Sequence, residues 1–365
     1  MPKKILKKLK IVQLISSSAT SGAERHVIDL TVHLISRGHE VVLMCPEDGW
    51  VPQTASEFCI PAMVCPMKGK SWLSTISKLN EMVLSEQFNV IHTHLTRAAY
   101  LGFASSKMTG CPVVTSVHIA NNDRIYNRIA KRNNRLVAVS GFVHGMLHGR
   151  GIPEKFIDTV YNGTDFLDFP ISDSSRLRKE FGINGDVQLI GQIGRISPQK
   201  GQIDLLKALS KVKRSIKNIH GLFVGRFDGE YESEIRQRVA TLGLENHVTF
   251  TGLRHDIPEL IDACDFVAVP SKMETFGLAA VEAMARSKAV VAARVGALPE
   301  VILDGRTGLL YDLDSDQLPE LLSYLLKEPR IRDEMGAFGK QVAMECFSLS
   351  QMTDRIEEVY GKTQA

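Results

Sequence analysis

The stretch Gln188-Leu189-Ile190-Gly191-Gln192-Ile193-Gly194-Arg195-Ile196-Ser197-Pro198-Gln199-Lys200-Gly201 reads as a short apolar strand, a glycine turn and the entry to a helix. Strands covered by helices on both faces are apolar along their length, which is the habit of parallel sheets. The same order occurs near the start of the chain. A strand over Lys10–Ser16 is followed by the small-residue loop Ser17-Ser18-Ala19-Thr20-Ser21-Gly22-Ala23-Glu24. A helix follows, with Val27, Leu30 and Leu34 on one face, until Gly38 stops it. Further strands are expected at Val41–Cys45, Val90–Thr93, Val113–His118, Leu136–Ser140, Thr159–Tyr161, Gly221–Val224, His247–Phe250, Phe266–Pro270 and Ala289–Ala293. Strands alternating with helical-period segments along the whole chain imply a parallel α/β architecture of two doubly wound lobes.

A chain of 365 residues is too long for one ordinary core and fits two lobes. Residues 165–186 combine Pro170, several Asp and Ser, Gly182 and Gly185, a composition suited to a connection. The boundary is therefore expected near 168, giving lobes 1–168 and 169–345, with a last helix in 346–365 that can pack back on the first lobe. Apolar residues at 44% and charged residues at 23% exclude a disordered or fibrous chain. Six cysteines with no C-x-x-C pair exclude a disulfide scaffold and suggest a reducing compartment. No apolar run approaches the roughly 18 residues of a membrane span, so a cytoplasmic protein is expected.

The net charge of +3 is uneven. Lys3, Lys4, Lys7, Lys8 and Lys10 crowd the first ten residues around Ile5, Leu6 and Leu9. The pattern suits either a solvated tail or an electrostatic tether to an anionic membrane surface. A nucleic-acid partner is not expected, because no basic face extends across a lobe.

Chemistry is expected where strands end. Gly22 opens a helix whose free N–H groups can meet an anion, although a small capped turn explains that segment equally well. The spacing there is not G-x-G-x-x-G, so a nicotinamide fingerprint is missing. Gly194 turns the second stretch, and Arg195 and Lys200 flank it as cations able to reach a diphosphate. In Pro270-Ser271-Lys272-Met273-Glu274-Thr275-Phe276-Gly277-Leu278-Ala279-Ala280-Val281-Glu282-Ala283-Met284-Ala285, Glu282 is the one charge from Phe276 to Ala285. A carboxylate in an all-apolar helix needs a hydrogen-bonding partner, and ligand hydroxyls would serve. Glu274 precedes that helix, where the N–H groups of Phe276, Gly277 and Leu278 would face a phosphate. His92 and His94 alternate on a strand without a third ligand at suitable spacing, so no metal site is expected. His118 ends a strand where a pocket should open, before the polar residues Asn121 and Arg124. Asp312-Leu313-Asp314 resembles a metal-binding D-x-D, but Asp316 and the following leucines make it a polar turn.

Taken in order, Ser21-Gly22-Ala23-Glu24, His118, Asn162-Gly163-Thr164-Asp165, Gly194-Arg195 with Lys200-Gly201, and Glu274-x7-Glu282 resemble the retaining glycosyltransferases of family 4. The resemblance covers nearly the whole chain. It implies the GT-B fold, α/β with two doubly wound Rossmann-like domains facing across a cleft, the first on the acceptor side and the second binding the nucleotide sugar. It implies hexosyl transfer without a cofactor or metal, from a UDP- or GDP-type sugar to an envelope glycan or lipid-linked acceptor such as lipopolysaccharide or capsule. Such an enzyme would work at the inner face of the cytoplasmic membrane.

By the resemblance, Arg195 and Lys200 neutralise the diphosphate, Glu282 accepts from the ribose hydroxyls, and Glu274 lies near the transferred sugar. His118 touches that sugar. The backbones of Gly22, Gly194, Phe276, Gly277 and Leu278 meet the donor, and Glu24, Asn121 and Arg124 lie on the acceptor side. Two departures stand out. Ser21 replaces a glycine common in the family's first loop, and Gly225-Arg226-Phe227-Asp228-Gly229 replaces a G-D-G-like turn. A sugar-nucleotide epimerase of the same fold and a sugar-binding protein without catalysis are the alternative readings.

Overall fold

The computed structural model describes residues 8–119, 121–167, 169–173, 175–183 and 185–364. The chain forms two compact units. One ends at Gly163 and is completed by the segment from Leu349; the other is Thr164–Ser348. The division thus falls five residues before the boundary read from composition.

The first unit contains strands β1 (Lys10–Ile15), β2 (Glu40–Cys45), β3 (Ala62–Val64), β4 (Val90–His94), β5 (Val113–Val117), β6 (Arg135–Ala138) and β7 (Ile157–Thr159). They pair in the order β3-β2-β1-β4-β5-β6-β7, all parallel. The second unit contains β8 (Gln188–Ile193), β9 (Ile219–Val224), β10 (Val248–Phe250), β11 (Phe266–Val269), β12 (Val290–Ala293) and β13 (Gly308–Tyr311). Their order is β10-β9-β8-β11-β12-β13, again parallel. Both sheets are doubly wound and Rossmann-like. Strand order reverses between β1 and β4 and between β8 and β11, and ligands in such sheets sit beyond the strand ends at the reversal.

Period-two alternation feeds two cores from each strand. In β8, Ile190 joins Leu205, Leu209, Phe223, Phe266, Val291 and Leu322 on one face. Its neighbour Leu189 joins Leu177, Leu222, Leu260 and Cys264 on the other. In the first unit, Ile11, Val90, Val114 and Val137 pack with Leu30 and Leu34, and with Met352, Ile356, Val359 and Tyr360 of the closing helix Leu349–Thr363. Arg37 holds that helix through Asp354 at 2.6 Å and Glu357 at 2.8 Å.

Three sequence readings need correction. The strand expected at Thr159–Tyr161 lies at Ile157–Thr159, and the short edge strands β3 and β13 have no counterpart in the reading. The central strands of the first sheet are not apolar throughout: Gln13, His92, Thr93, His94, Thr115 and Ser116 are buried in it. Buried polar groups persist when they bond one another, as these do. Finally, Lys10 opens β1 with its ammonium 3.3 Å from Glu40, so it belongs to the sheet rather than to a basic tail. Lys8 is exposed, and Lys3, Lys4 and Lys7 lie outside the described residues. Among the described residues no helix is long and apolar enough to cross a membrane.

Candidate active site

In the second unit the chain leaves β8 through Gly194 and Arg195, makes a short turn over Pro198–Lys200, and enters the helix Gln202–Val212. Gly201 joins turn to helix with φ +70°, and a Cβ there would stand 1.9 Å from the carbonyl oxygen of Pro270. Only glycine lets the β8 loop lie this close to the loop after β11. Gln192 reinforces the contact by donating to the Lys200 carbonyl at 2.6 Å, and Lys272 N–H donates to the Gln199 carbonyl at 2.8 Å.

The approach joins two charges that are 74 residues apart in sequence. Lys200 Nζ donates to Glu274 Oε1 at 2.6 Å, and Ser271 Oγ donates to the same oxygen at 2.7 Å. Glu274 is further fixed through its carbonyl, which accepts from Ala297 N–H at 3.0 Å. The pair places a cation and an anion side by side at the reversal of the second sheet. Arg195 lies half exposed, 3.6 Å from Asp228. An exposed pair of this kind is weak and can exchange partners when a diphosphate arrives.

Gly277 caps the helix Leu278–Ala285, and Glu282 within it is buried, 6% exposed. Phe276 is buried edge-on against Phe347, ring centres 5.7 Å apart, so its side chain packs the unit while its backbone leads into the helix. Asp312 lies 3.5 Å from Arg294 in a turn closed by Ser315, the polar turn read from the sequence.

In the first unit the strand ends carry a histidine cluster that sequence spacing did not reveal. Parallel register sets Gln13 beside His92, and His94 beside Ser116. His118 follows β5, and His26 comes in from the helix Gly22–Ser36. His94 Nε2–H donates to Gln13 Oε1 at 2.7 Å, which leaves Nδ1 bare to accept from His118 Nε2–H at 3.1 Å. His92 reaches Tyr360 Oη at 2.7 Å and Ser116 Oγ at 2.9 Å. Burial pushes His26 down to about 4. Burial together with the neighbouring histidines holds His92, His94 and His118 well below the usual imidazole range. All four rings are therefore neutral near pH 7. His26, 5% exposed, has neither ring nitrogen in hydrogen-bond geometry, and the neighbouring Asn162 leaves its Oδ1 unbonded. A side-chain hydrogen bond with Asn162, too distorted to satisfy either group, opposes the lowering of His26.

Other expected residues take local roles. Ser21 caps the helix that starts at Gly22, and its hydroxyl donates to the Glu24 carboxylate, so Glu24 serves the loop and is buried there. The φ of Ser21 is −150°, extended backbone that needs no glycine, so the departure from the family loop introduces no strain. Asn121 donates to Thr96 Oγ1 at 2.8 Å, and Arg124 is exposed at the start of the helix Ile125–Ile129. His26, His94, Gln13, Ser271 and Asp228 were missed as site residues. Ser271 and Asp228 stood inside quoted motifs, whereas the others become neighbours only through strand register.

A family model described as Glycosyltransferase Family 4 matches residues 20–166, and one described as Glycosyl transferases group 1 matches residues 173–342. This chain belongs to glycosyltransferase family 4. N-acetyl-alpha-D-glucosaminyl L-malate synthase of Bacillus anthracis is 28% identical over 301 residues, 79% of this chain and 78% of that protein. D-inositol 3-phosphate glycosyltransferase of Mycobacteroides abscessus is 26% identical over 382 residues, 96% of this chain and 80% of its own. The crystal structure of Anabaena HepE in complex with UDP-glucose superposes with a TM-score of 0.86 at 27% identity, covering 96% of this chain and 98% of that one. The fold of this family 4 glycosyltransferase is accordingly GT-B.

Proposed function

We propose that the protein transfers a hexose from a nucleotide-diphosphate sugar, UDP-linked in preference to GDP-linked, to a glycan or lipid-linked acceptor of the cell envelope. Transfer proceeds with retention of anomeric configuration and without a metal ion. The observation that carries this reading is the cluster of Lys200, Glu274 and Ser271, built by backbone contact between the loops after β8 and β11 at the sheet reversal. UDP-glucose bound to HepE supports the choice of base.

In this reading Arg195 leaves Asp228 for the diphosphate, and Lys200 adds a second cation. The bond from C1 to the diphosphate oxygen breaks with its electron pair going to the diphosphate. The acceptor oxygen then bonds C1, and its proton passes to the departing diphosphate. Cations and the N–H groups at Gly277 and Leu278 stabilise the charge that develops. Glu282 accepts from the ribose hydroxyls, Glu274 orients the sugar, and His118 bonds a sugar hydroxyl. Gly22 contributes its backbone N–H.

The deciding experiment incubates the purified protein with UDP-glucose, UDP-N-acetylglucosamine and GDP-mannose. Thermal shifts identify the donor, since a ligand at 100 times its Kd adds about 2.7 kcal/mol. The anomeric proton coupling of the product then reports configuration. An inverted product, or transfer that stops in EDTA and returns with Mg2+, would overturn the mechanism. Stabilisation by no nucleotide sugar would overturn the donor class.

A further inference from the structure

His26, His94 and His118 each offer a ring nitrogen, and the three nitrogens lie within 4.8 Å of one another inside the first unit. We propose that these side chains form a binding site for a divalent cation of the zinc class. The geometry is close to ready. In a tetrahedral site with Zn–N near 2.0–2.1 Å, adjacent nitrogens stand roughly 3.3 Å apart. His94 Nδ1 and His118 Nε2 are 3.1 Å apart across a hydrogen bond, and an ion would take the place of the shared proton as His118 shifts that proton to its Nδ1.

The surroundings match what a metal ligand needs. A ligating histidine usually donates its second N–H to a fixed acceptor, which sets the tautomer and orients the ring. His94 does this through Nε2 to Gln13 Oε1 at 2.7 Å, and the Gln13 amide in turn approaches Tyr360 Oη at 3.5 Å. His26 supplies an independent sign. It is 5% exposed, and its ring nitrogens make no well-formed hydrogen bond, only a distorted one with Asn162, a costly arrangement that a coordinate bond would relieve. Each ring starts from ordered backbone: the end of β4, the residue after β5, and the second turn of the helix Gly22–Ser36. Three neutral nitrogen donors select Zn2+, Co2+ or Ni2+ over Mg2+ and Ca2+, which prefer oxygen. Three histidines leave a fourth position open for water or a ligand oxygen. The sequence reading excluded a metal here because His92 and His94 lacked a third ligand; the fold supplies His26 and His118.

If His118 bonds a sugar hydroxyl as proposed above, an ion held by it inhibits transfer. That consequence rests on the transferase reading, whereas the binding itself does not, so the two are tested separately. The full chain, stripped of metal with EDTA and exchanged into excess Mg2+, is titrated calorimetrically with Zn2+, and Co2+ is added to a parallel sample to record its visible absorption. One ion per chain and the intense bands of four-coordinate cobalt are expected. His26→Asn and His94→Asn should abolish both signals. Gln13→Leu, which removes the acceptor but no ligand, should weaken Zn2+ binding by about 10–100-fold.

His144 and His148 lie one turn apart on the helix Gly141–His148, and the Glu154 carboxylate, beyond that helix, approaches them at 2.9 and 3.5 Å to form the competing surface site. The double variant His144→Asn/His148→Asn should bind as the native chain does. Loss of binding in that double variant with retention in His26→Asn would overturn the assignment. So would a native chain that shows no four-coordinate cobalt spectrum, a result independent of whether any variant folds.

Discussion

Acidification should unfold the first unit well before carboxylate chemistry becomes important, and His26 gives the magnitude. Desolvation holds its ring at about 4 in the folded chain against an ordinary value of 6.5. The unfolded ring takes up a proton below 6.5 while the folded ring resists it, so stability present above 6.5 is lost as pH falls. At 1.36 kcal/mol per unit, the loss is about 2 kcal/mol at pH 5 and about 3 kcal/mol near pH 4. His92, His94 and His118 are displaced in the same direction and add to it. A domain stable by roughly 5–15 kcal/mol feels such a loss strongly. Both tryptophans, Trp50 and Trp72, lie in the first unit, and Trp50 packs on Val51, Ala55 and Ile60. Urea unfolding followed by tryptophan fluorescence at about pH 7 and pH 5 therefore reports this unit alone. The native midpoint should fall sharply between the two. In His26→Leu, which removes one titrating ring, the free-energy difference between the two conditions should shrink by about 2 kcal/mol. An identical fall in His26→Leu and the native chain would refute the assignment of the acid sensitivity to this buried ring.

Further expectations concern the second unit. Glu282→Ala should weaken donor binding in calorimetry, and Glu282→Gln should lose less because the amide oxygen still accepts; unchanged affinity in both would remove Glu282 from the ribose. Arg195→Ala and Lys200→Ala should each lower kcat by roughly 10²–10³. Lys200→Ala also strips Glu274 of its 2.6 Å partner, so the double variant Lys200→Ala/Glu274→Ala should cost less than the sum of the single changes. Arg286→Ala should destabilise the second unit by about 3–5 kcal/mol in urea unfolding followed by circular dichroism, because it strands the buried Asp262 carboxylate. Asp262→Asn should cost less, since a neutral amide replaces the charge.

The residues differ in how openly the sequence displayed them, and the difference is physical. Gly194, Arg195, Lys200, Glu274 and Glu282 lie in two short stretches whose strand–turn–helix grammar is local, so their place at the strand ends could be read directly. The ion pair between Lys200 and Glu274 could not, because it depends on Gly201 lying against the Pro270 carbonyl. The histidine cluster is further from view. Its members come from one helix and from strands brought together by parallel pairing, and a parallel partner is set by crossover topology rather than by a nearby turn. His92 and His94 alone gave a two-residue pattern that looked incomplete; His118, which follows β5, and His26, on the helix Gly22–Ser36, come beside His94 only in the fold. Arg286 shows the same limit at the start of the second unit. Its guanidinium donates to the carbonyls of Phe166 at 3.0 Å, Phe169 at 2.6 Å and Pro170 at 2.8 Å while pairing with Asp262. Composition marked residues 165–186 as a connection, whereas the division falls before them, at Gly163–Thr164, and Leu177 and Ile183 join a core of the second unit. Composition has no means of showing that one buried arginine, more than 100 residues later, satisfies the segment's carbonyls and fixes its course.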